Sequence, residues 1–516
     1  MPTEFRNEPI KDFSNAEDRR KMQQALEYVK SQFDREYPLF IDGQDVKSGR
    51  TFKSYNPANK EQVVGTFHKA GVKEVDLAIE AAQRAFQSWR HVDPKERADV
   101  LFRAAAKMRE RRFELNAWMV YETSKSWTEA DGDTAEAIDF MEFYAREMLR
   151  YGAKQPLTPI EGENNELVYI PLGMGAVIPP WNFPNAILVG MSSAAIVTGN
   201  TVLLKPSSDA PAVGYRYIEI MKEAGLPAGV LNFVPGSGGE IGDYIVTHPK
   251  TRFIAFTGSM EVGLRVNELA AKKSEGQIWI KRVVAEMGGK DSIVVDSEAD
   301  LVDAADGTIA SAFGFQGQKC SACSRVIVDE KVYDEFCEML VERAEKLTVG
   351  STENPDIFMG AVINQSAADN TMHYIDIGHR EGKLLIGGKR GDNKGHFIMP
   401  TIFKDIAPTA RLAQEEIFAP VLAVIKAKDF DDALGIANNT IYGLTGALYS
   451  KNKDKIARAK REFHAGNLYF NRKCTGAFVG AHPFGGFNMS GTDSKAGGRD
   501  YLLLFLQAKT MSEKIA

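Results

Sequence analysis

The sequence predicts an α/β protein with two large domains, each built on a parallel, doubly wound sheet. Three observations carry that expectation. A chain of 516 residues exceeds what a single core organises, since domains hold roughly 100 to 200 residues each. Between Gly173 and Glu286 short apolar runs alternate with helical segments: Gly175 to Ile178, Thr201 to Lys205, Val230 to Val234, Phe253 to Thr257 and Val283 to Glu286. That alternation is the mark of strands joined by crossover helices. The same style recurs in Asp291 to Val295, Ser324 to Val328, Val421 to Ile425, Thr445 to Tyr449 and Asn467 to Asn471.

From the N-terminus, Met22, Leu26, Val29 and Phe33 stand at helical spacing in a polar arm, which predicts an amphipathic segment packed on a larger body. Tyr37 to Val46, with Leu39 and Ile41 before Asp42-Gly43, reads as a hairpin. A long helical block is expected next, with Val75, Ala78, Ile79, Ala82, Ala85 and Phe86 on one face, continuing from Pro94 to Glu122 and on to about Tyr151. Residues 153 to 171 read as a loop entering an isolated strand at Glu166 to Ile170, which needs a partner from elsewhere. The apolar stretch Ala186 to Thr198 falls short of a membrane span, about 20 residues, and predicts a buried helix.

Composition excludes several classes. Hydrophobic residues at 44% and charged residues at 26% are ordinary for a folded protein. A net charge of −6 with no long basic run argues against nucleic acid as a partner and favours small molecules. The charged N-terminus, with Glu4, Arg6, Glu8, Lys11 and Asp12, lacks the apolar core of a secretory signal, so a cytoplasmic location is expected. Four cysteines, Cys320, Cys323, Cys337 and Cys474, are too few for a disulfide scaffold.

One of those thiols is a candidate nucleophile. Cys320 ends an apolar, glycine-flanked stretch beginning at Phe313, and nearby backbone N–H groups or a base would lower its pKa. Taken alone, the residue reads equally as a small buried hydrophobe, or as half of the Cys320-Ser-Ala-Cys323 pair in thiol–disulfide exchange. No second cysteine pair or histidine cluster accompanies it, so no metal site is expected.

Further segments decide between these readings. Pro179-Pro-Trp-Asn-Phe-Pro184, Val284-Ala-Glu-Met-Gly-Gly-Lys290 and Gly317-Gln-Lys-Cys320 closely resemble the signatures of the aldehyde dehydrogenase superfamily. Tyr55 to Ala58, Lys205 to Ser207, Phe256 to Ser259, Gln414 to Pro420 and Pro483 to Gly486 follow in the family's order, so the resemblance covers nearly the whole chain. It implies a Rossmann-like cofactor domain in segments 1–152 and 172–286 and a catalytic α/β domain at 287–475. An oligomerisation strand at 153–171, with an anchor loop and C-terminal segment at 476–516 that includes Tyr501 to Gln507, would form a small flap, and a homodimer at least is expected.

By the same resemblance, Cys320 attacks an aldehyde carbonyl, and Asn182 with the Cys320 N–H holds the oxyanion. Glu286 is the general base that lets water cleave the thioester. For the cofactor, the fingerprint Gly-x-Gly-x-x-Gly is absent, and Gly236 to Gly242 has the wrong spacing. The family's alternative brings Gly258 and Ser259 to the pyrophosphate at a helix start, Lys205 and Ser207 to the adenosine side, Glu416 and Phe418 to the nicotinamide ribose, and Ile178 and Pro179 to the cleft wall. NAD is thus the implied cofactor. Ser208 stands where many NAD-preferring members carry a glutamate, which removes a repulsion and lets NADP be accepted as well.

Within the family, Phe313 to Arg325 and Asn471 to Ala477 resemble the members that oxidise L-glutamate 5-semialdehyde, in the second step of proline breakdown. The resemblance implies that Ser321 and the amides of Gly476 and Ala477 bind the substrate carboxylate, with Phe484 on its methylenes. Glu136, on a helix from Thr134 to Leu149, is either an ammonium partner or part of a solvated face. Alternatives are another semialdehyde such as succinate semialdehyde, a thiol–disulfide oxidoreductase, or a non-catalytic relative of the same fold. The joint presence of Cys320, Asn182 and Glu286 weighs against the last.

Overall fold

The computed structural model describes residues 4–515 and contains two seven-stranded sheets, each mostly parallel. In the first, the spatial order is Arg282–Glu286, Phe253–Thr257, Met174–Ile178, Thr201–Leu204, Leu231–Phe233, Leu39–Ile41 and Gln44–Val46. The first five run parallel, and the Leu39–Val46 hairpin adds antiparallel at Phe40 beside Phe233. From Met174–Ile178 the chain winds outward one way and then returns to place Phe253–Thr257 on the other side of that strand. This reversal opens a crevice at the carboxyl ends of the strands, where doubly wound sheets bind ligands.

The second sheet has the order Lys383–Ile386, Thr401–Lys404, Val421–Ala427, Arg325–Asp329, Ser292–Val295, Thr445–Tyr449 and Asn467–Phe470. All neighbours but the first pair are parallel. Short all-buried runs such as Ser292–Val295 and Arg325–Asp329 sit inside because both faces are covered. The apolar helix Ala186–Val197 is buried over almost its whole surface and packs against the long helix Trp127–Gly152. Among the described residues no helix is long and apolar enough to cross a membrane.

Several local expectations need correction. The helical block is interrupted at Arg111, whose backbone leaves the helical region, so Pro94–Glu110 and Arg112–Thr123 are separate helices. The N-terminal helix Ala16–Lys30 stops before Phe33, which instead meets Tyr121 edge-on at 4.9 Å. Residues after Val46 first form a hairpin, Thr51–Asn56 with Asn59–His68, rather than helix. Its inward-facing residues include Ser54 and Asn56, and Ser54 donates a hydrogen bond to Glu122 at 2.8 Å. Polar groups therefore carry the alternation, which hides the strand from an apolar pattern.

The strand read as isolated spans Glu163–Pro171 and finds its partner within the chain, in Leu506–Lys514. Tyr501–Phe505 is a tight helical turn, so the C-terminal strand begins only at Leu506. Arg282 fastens this flap to the first sheet by donating to the carbonyls of Leu503, Leu504 and Leu506.

Candidate active site

Cys320 is delivered by a forced turn. The helix Leu301–Phe313 ends, and Phe315, Gln316 and Gly317 all adopt positive φ, at 51°, 58° and 66°. Gln316 offsets the strain of this bend by donating to the carbonyls of Ser124 at 3.1 Å and Ala361 at 2.8 Å. Gln318 accepts from the N–H of Ile363 at 2.9 Å, and a Cβ at Gly317 would collide with the Ala419 carbonyl. The turn is over-determined, and it leaves Cys320 half-buried at the wall of a cavity of about 310 Å³.

Asn182 approaches the same segment from the loop after Met174–Ile178, and its amide donates to the Gln318 carbonyl at 3.0 Å. That bond uses one N–H and leaves the second. The backbone N–H of Cys320 has no acceptor among the described residues. The second Asn182 N–H and the Cys320 N–H are both available as donors.

The electrostatics run against one expectation. Burial, followed by the carboxyls of Asp291, Glu286 and Glu416, pushes the Cys320 thiol up rather than down. Acidic neighbours and little solvent disfavour a thiolate, so attack on a carbonyl requires a proton acceptor. Glu286 ends the strand Arg282–Glu286 and lines the same cavity. Its Oε1 accepts from Ser494 Oγ at 2.5 Å and Ser494 N at 3.3 Å, whereas Oε2 has no partner. Burial raises its pKa to about 7, with the Ser494 bonds opposing. A carboxyl with one free oxygen and that pKa is matched to exchanging a proton near neutrality.

The same cavity is lined by Ser321, Gly476, Ala477 and Phe484. Gly476 takes φ 78°, a left-handed turn suited to glycine. Neither its N–H nor that of Ala477 has an acceptor among the described residues. Glu136 also faces this cavity and not open solvent, and burial, with the neighbouring Asp133, raises it to about 8. Behind it the buried Lys125 stands 3.8 Å from the ring centre of Phe183 and 4.2 Å from that of Phe315, and 3.2 Å from Asp133. One cation thereby braces the Asn182 arm against the Cys320 arm.

Most of the expected cofactor residues lie at the crevice of the first sheet, while Glu416 and Phe418 come from the loop before the second sheet's Val421–Ala427. Ile178, Leu204 and Thr257 end three adjacent parallel strands, so Pro179, Lys205 and Gly258 emerge side by side. Lys205 is buried, its one hydrogen bond among the described residues is to the Pro206 carbonyl at 3.4 Å, and it is lowered to about 8 by burial. A buried ammonium with no carboxylate beside it at a strand end suits a ribose hydroxyl or phosphate oxygen. Ser259 caps the helix Met260–Ala271 and is exposed, as is Ser208, while Ser207 accepts from the Asp209 N–H at 3.3 Å. Glu416 accepts from the Gly289 N–H at 3.1 Å and is raised to about 7 by burial. A Cβ at Gly288 would strike that carboxylate. Phe418, at φ 58°, meets Trp181 edge-on at 5.6 Å. These groups fit a dinucleotide stretched from the helix start to the edge of the Cys320 cavity.

The model of the aldehyde dehydrogenase family matches residues 44–511. The chain belongs to the aldehyde dehydrogenase family. A 1-pyrroline-5-carboxylate dehydrogenase of Geobacillus thermodenitrificans is 57% identical over 513 residues, covering 99% of this chain and all of that one. The crystal structure of a 1-pyrroline-5-carboxylate dehydrogenase from Thermus with bound NAD superposes with a TM-score of 0.98 at 50% identity, over 99% of both chains. An arginine-to-alanine mutant of the Thermus thermophilus 1-pyrroline-5-carboxylate dehydrogenase gives 0.98 at 51% identity, with the same coverage.

In this aldehyde dehydrogenase all four cysteines are free, and Cys323 is buried, its thiol pointing to the Arg325 carbonyl at 3.3 Å. Sequence reasoning missed Ser494, which holds Glu286, and Asp291, a buried carboxyl pushed well up by burial whose Oδ1 accepts from the Thr445 N–H at 2.7 Å. Neither carries a local signal, because each acts through residues far away in the chain. Lys290, which closes the recognised Val284-to-Lys290 run, is buried, its ammonium has no hydrogen-bond partner among the described residues, and burial lowers it to about 7.

Proposed function

We propose that this enzyme oxidises L-glutamate 5-semialdehyde, formed from 1-pyrroline-5-carboxylate, to L-glutamate with reduction of NAD. The observation that carries the reading is a single cavity lined by Cys320 and Glu286 and also by Gly476 and Ala477, whose two amides have no acceptor among the described residues. The names of full-length relatives point to the same substrate.

Glu286 takes the thiol proton through its free Oε2, and the Cys320 sulfur adds to the aldehyde carbon. The carbonyl electrons move to oxygen, where the free Asn182 N–H and the Cys320 N–H receive the charge; one such donor contributes about 3 to 4 kcal/mol. Bound NAD supplies the acceptor for the hydride that leaves the thiohemiacetal carbon. Lys205, Ser207, Ser208, Gly258 and Ser259 would hold its adenosine and phosphate side, and Glu416, Phe418, Ile178 and Pro179 its nicotinamide side. A thioester then remains on Cys320. Glu286, deprotonated again, removes a proton from water as it adds to the thioester, and the sulfur leaves with the electron pair of the broken C–S bond.

We assign 1–152 and 172–286 to cofactor binding, 287–475 to catalysis and 153–171 with the C-terminal segment to assembly. Support for a homodimer comes from the flap itself: two strands with no further neighbour are marginal in isolation, and a second copy would cover them. The deciding experiment follows NADH formation with 1-pyrroline-5-carboxylate for the wild type and Cys320→Ala, beside succinate semialdehyde as a second substrate. Turnover with the first substrate, lost in the variant, is expected. Preference for succinate semialdehyde, or activity surviving in Cys320→Ala, overturns the reading.

A further inference from the structure

The two amides assigned to the substrate carboxylate raise a geometric question, because successive peptide units of an extended chain point their N–H groups in opposite directions. In this loop they do not. The chain leaves the strand Asn467–Phe470 at Asn471, which takes φ 49° while its side chain accepts from the Ser450 N–H at 2.9 Å. The next residue, Arg472, lays its guanidinium over the Tyr469 ring at 4.5 Å. One of its nitrogens, Nη2, donates to the carbonyl of Thr475 and to the carbonyl of Gly476, both at 2.9 Å.

Those two carbonyls belong to the peptide units whose other ends are the N–H of Gly476 and the N–H of Ala477. In a planar trans peptide the C=O and N–H bonds are antiparallel. Holding both oxygens at one nitrogen therefore turns both N–H groups to the opposite face, and the left-handed Gly476 permits the turn. Both N–H groups are free of acceptors among the described residues. The guanidinium charge behind the two units also polarises them, which strengthens both donors toward an anion. A second tether fixes the reach: the Cys474 thiol donates to the Ser321 carbonyl at 3.4 Å, joining the start of the loop to the nucleophile's neighbour.

We propose that Arg472 is a positioning residue that presets the carboxylate anchor of the substrate site. It touches no substrate and acts through the peptides it holds. The inference rests on the glutamate-semialdehyde reading, so its test keeps the two apart. Arg472→Met and Arg472→Lys are assayed with NAD on L-glutamate 5-semialdehyde and on propanal, which has no carboxylate, and L-glutamate is titrated as a competitive inhibitor.

For Arg472→Met, loss of two charge-assisted bonds should raise the semialdehyde KM and the glutamate Ki at least about tenfold, with kcat within about threefold and propanal kinetics unchanged. Arg472→Lys retains a cation with more than one N–H and should recover most of that loss. An unchanged semialdehyde KM in Arg472→Met, an equal rise for both aldehydes, or no rescue by lysine overturns the proposal. A wild type active on propanal but not on the semialdehyde overturns the substrate reading, and this inference with it.

Discussion

Glu286→Gln separates the two tasks assigned to one carboxyl. Glutamine preserves the side chain's size and can still accept the Ser494 bonds through its oxygen, but it cannot take a proton. At pH 8 a group with a pKa of about 7 is mostly ionised, so the variant loses a working base, and the steady-state rate should fall by about 10²- to 10⁴-fold. Rapid mixing with L-glutamate 5-semialdehyde and NAD should still release about one NADH per active site, more slowly than the wild type, before turnover stalls at the thioester. Stability moves the other way. The folded pKa of Glu286 lies above its ordinary value of 4.5, so its favourable contribution is intact below about pH 4.5 and is lost as pH rises through about 7. The shift from 4.5 to about 7 bounds the cost of the buried carboxylate at about 3 kcal/mol. The variant should accordingly match the wild type in thermal unfolding at pH 5 and exceed it at pH 8. A steady-state rate within about threefold of wild type would refute the assignment of the base.

Other substitutions test the remaining parts of the site. Ala477→Leu adds bulk beside a proposed anchor amide in the cavity and should raise KM for the semialdehyde at least about tenfold while sparing a plain aliphatic aldehyde; equal losses on both would remove the anchor. Ser208→Glu places a carboxylate near the adenosine side and should lower kcat/KM with NADP by about tenfold or more, with NAD changed little. Initial rates with both cofactors decide it, and a wild type inert with NADP contradicts the expected tolerance. Cys323→Ser should keep activity within a fewfold of wild type, because its thiol is buried against the Arg325 carbonyl; loss as deep as that of Cys320→Ala would revive the thiol–disulfide reading.

What the sequence displayed follows from where the chemistry resides. Cys320, Asn182 and Glu286 are proposed to act through specific side chains, each set in a run of glycines, prolines or apolar strand residues. The role proposed for Gly476 and Ala477 is carried by backbone amides, which no residue type announces, and it was reachable only through the resemblance. For another reason, Ser494 carried no local signal, and Arg472, inside the recognised Asn471-to-Ala477 run, had no role readable from it. Each works by holding something else, a carboxylate more than two hundred positions away in one case and two peptide carbonyls in the other. The direction of the Cys320 shift was also unreadable, since the carboxyls that set it come from separate segments.

The fold shows the same division. The parallel strands announced themselves because burial on both faces demands continuous apolar runs. The strand Thr51–Asn56 did not, because its buried positions, Ser54 and Asn56, are polar and find partners such as Glu122 and Gln62. The site itself depends on how the two sheets are joined. Glu286 ends a strand of the first and Ser292 begins a strand of the second, and the link between them carries Gly288 and Gly289. There the Gly289 N–H holds Glu416, and Gly288 has no room for a side chain. The glycines that join the strand of Glu286 to the second sheet also fix Glu416, so that one short connection ties the proposed base to the proposed cofactor contact.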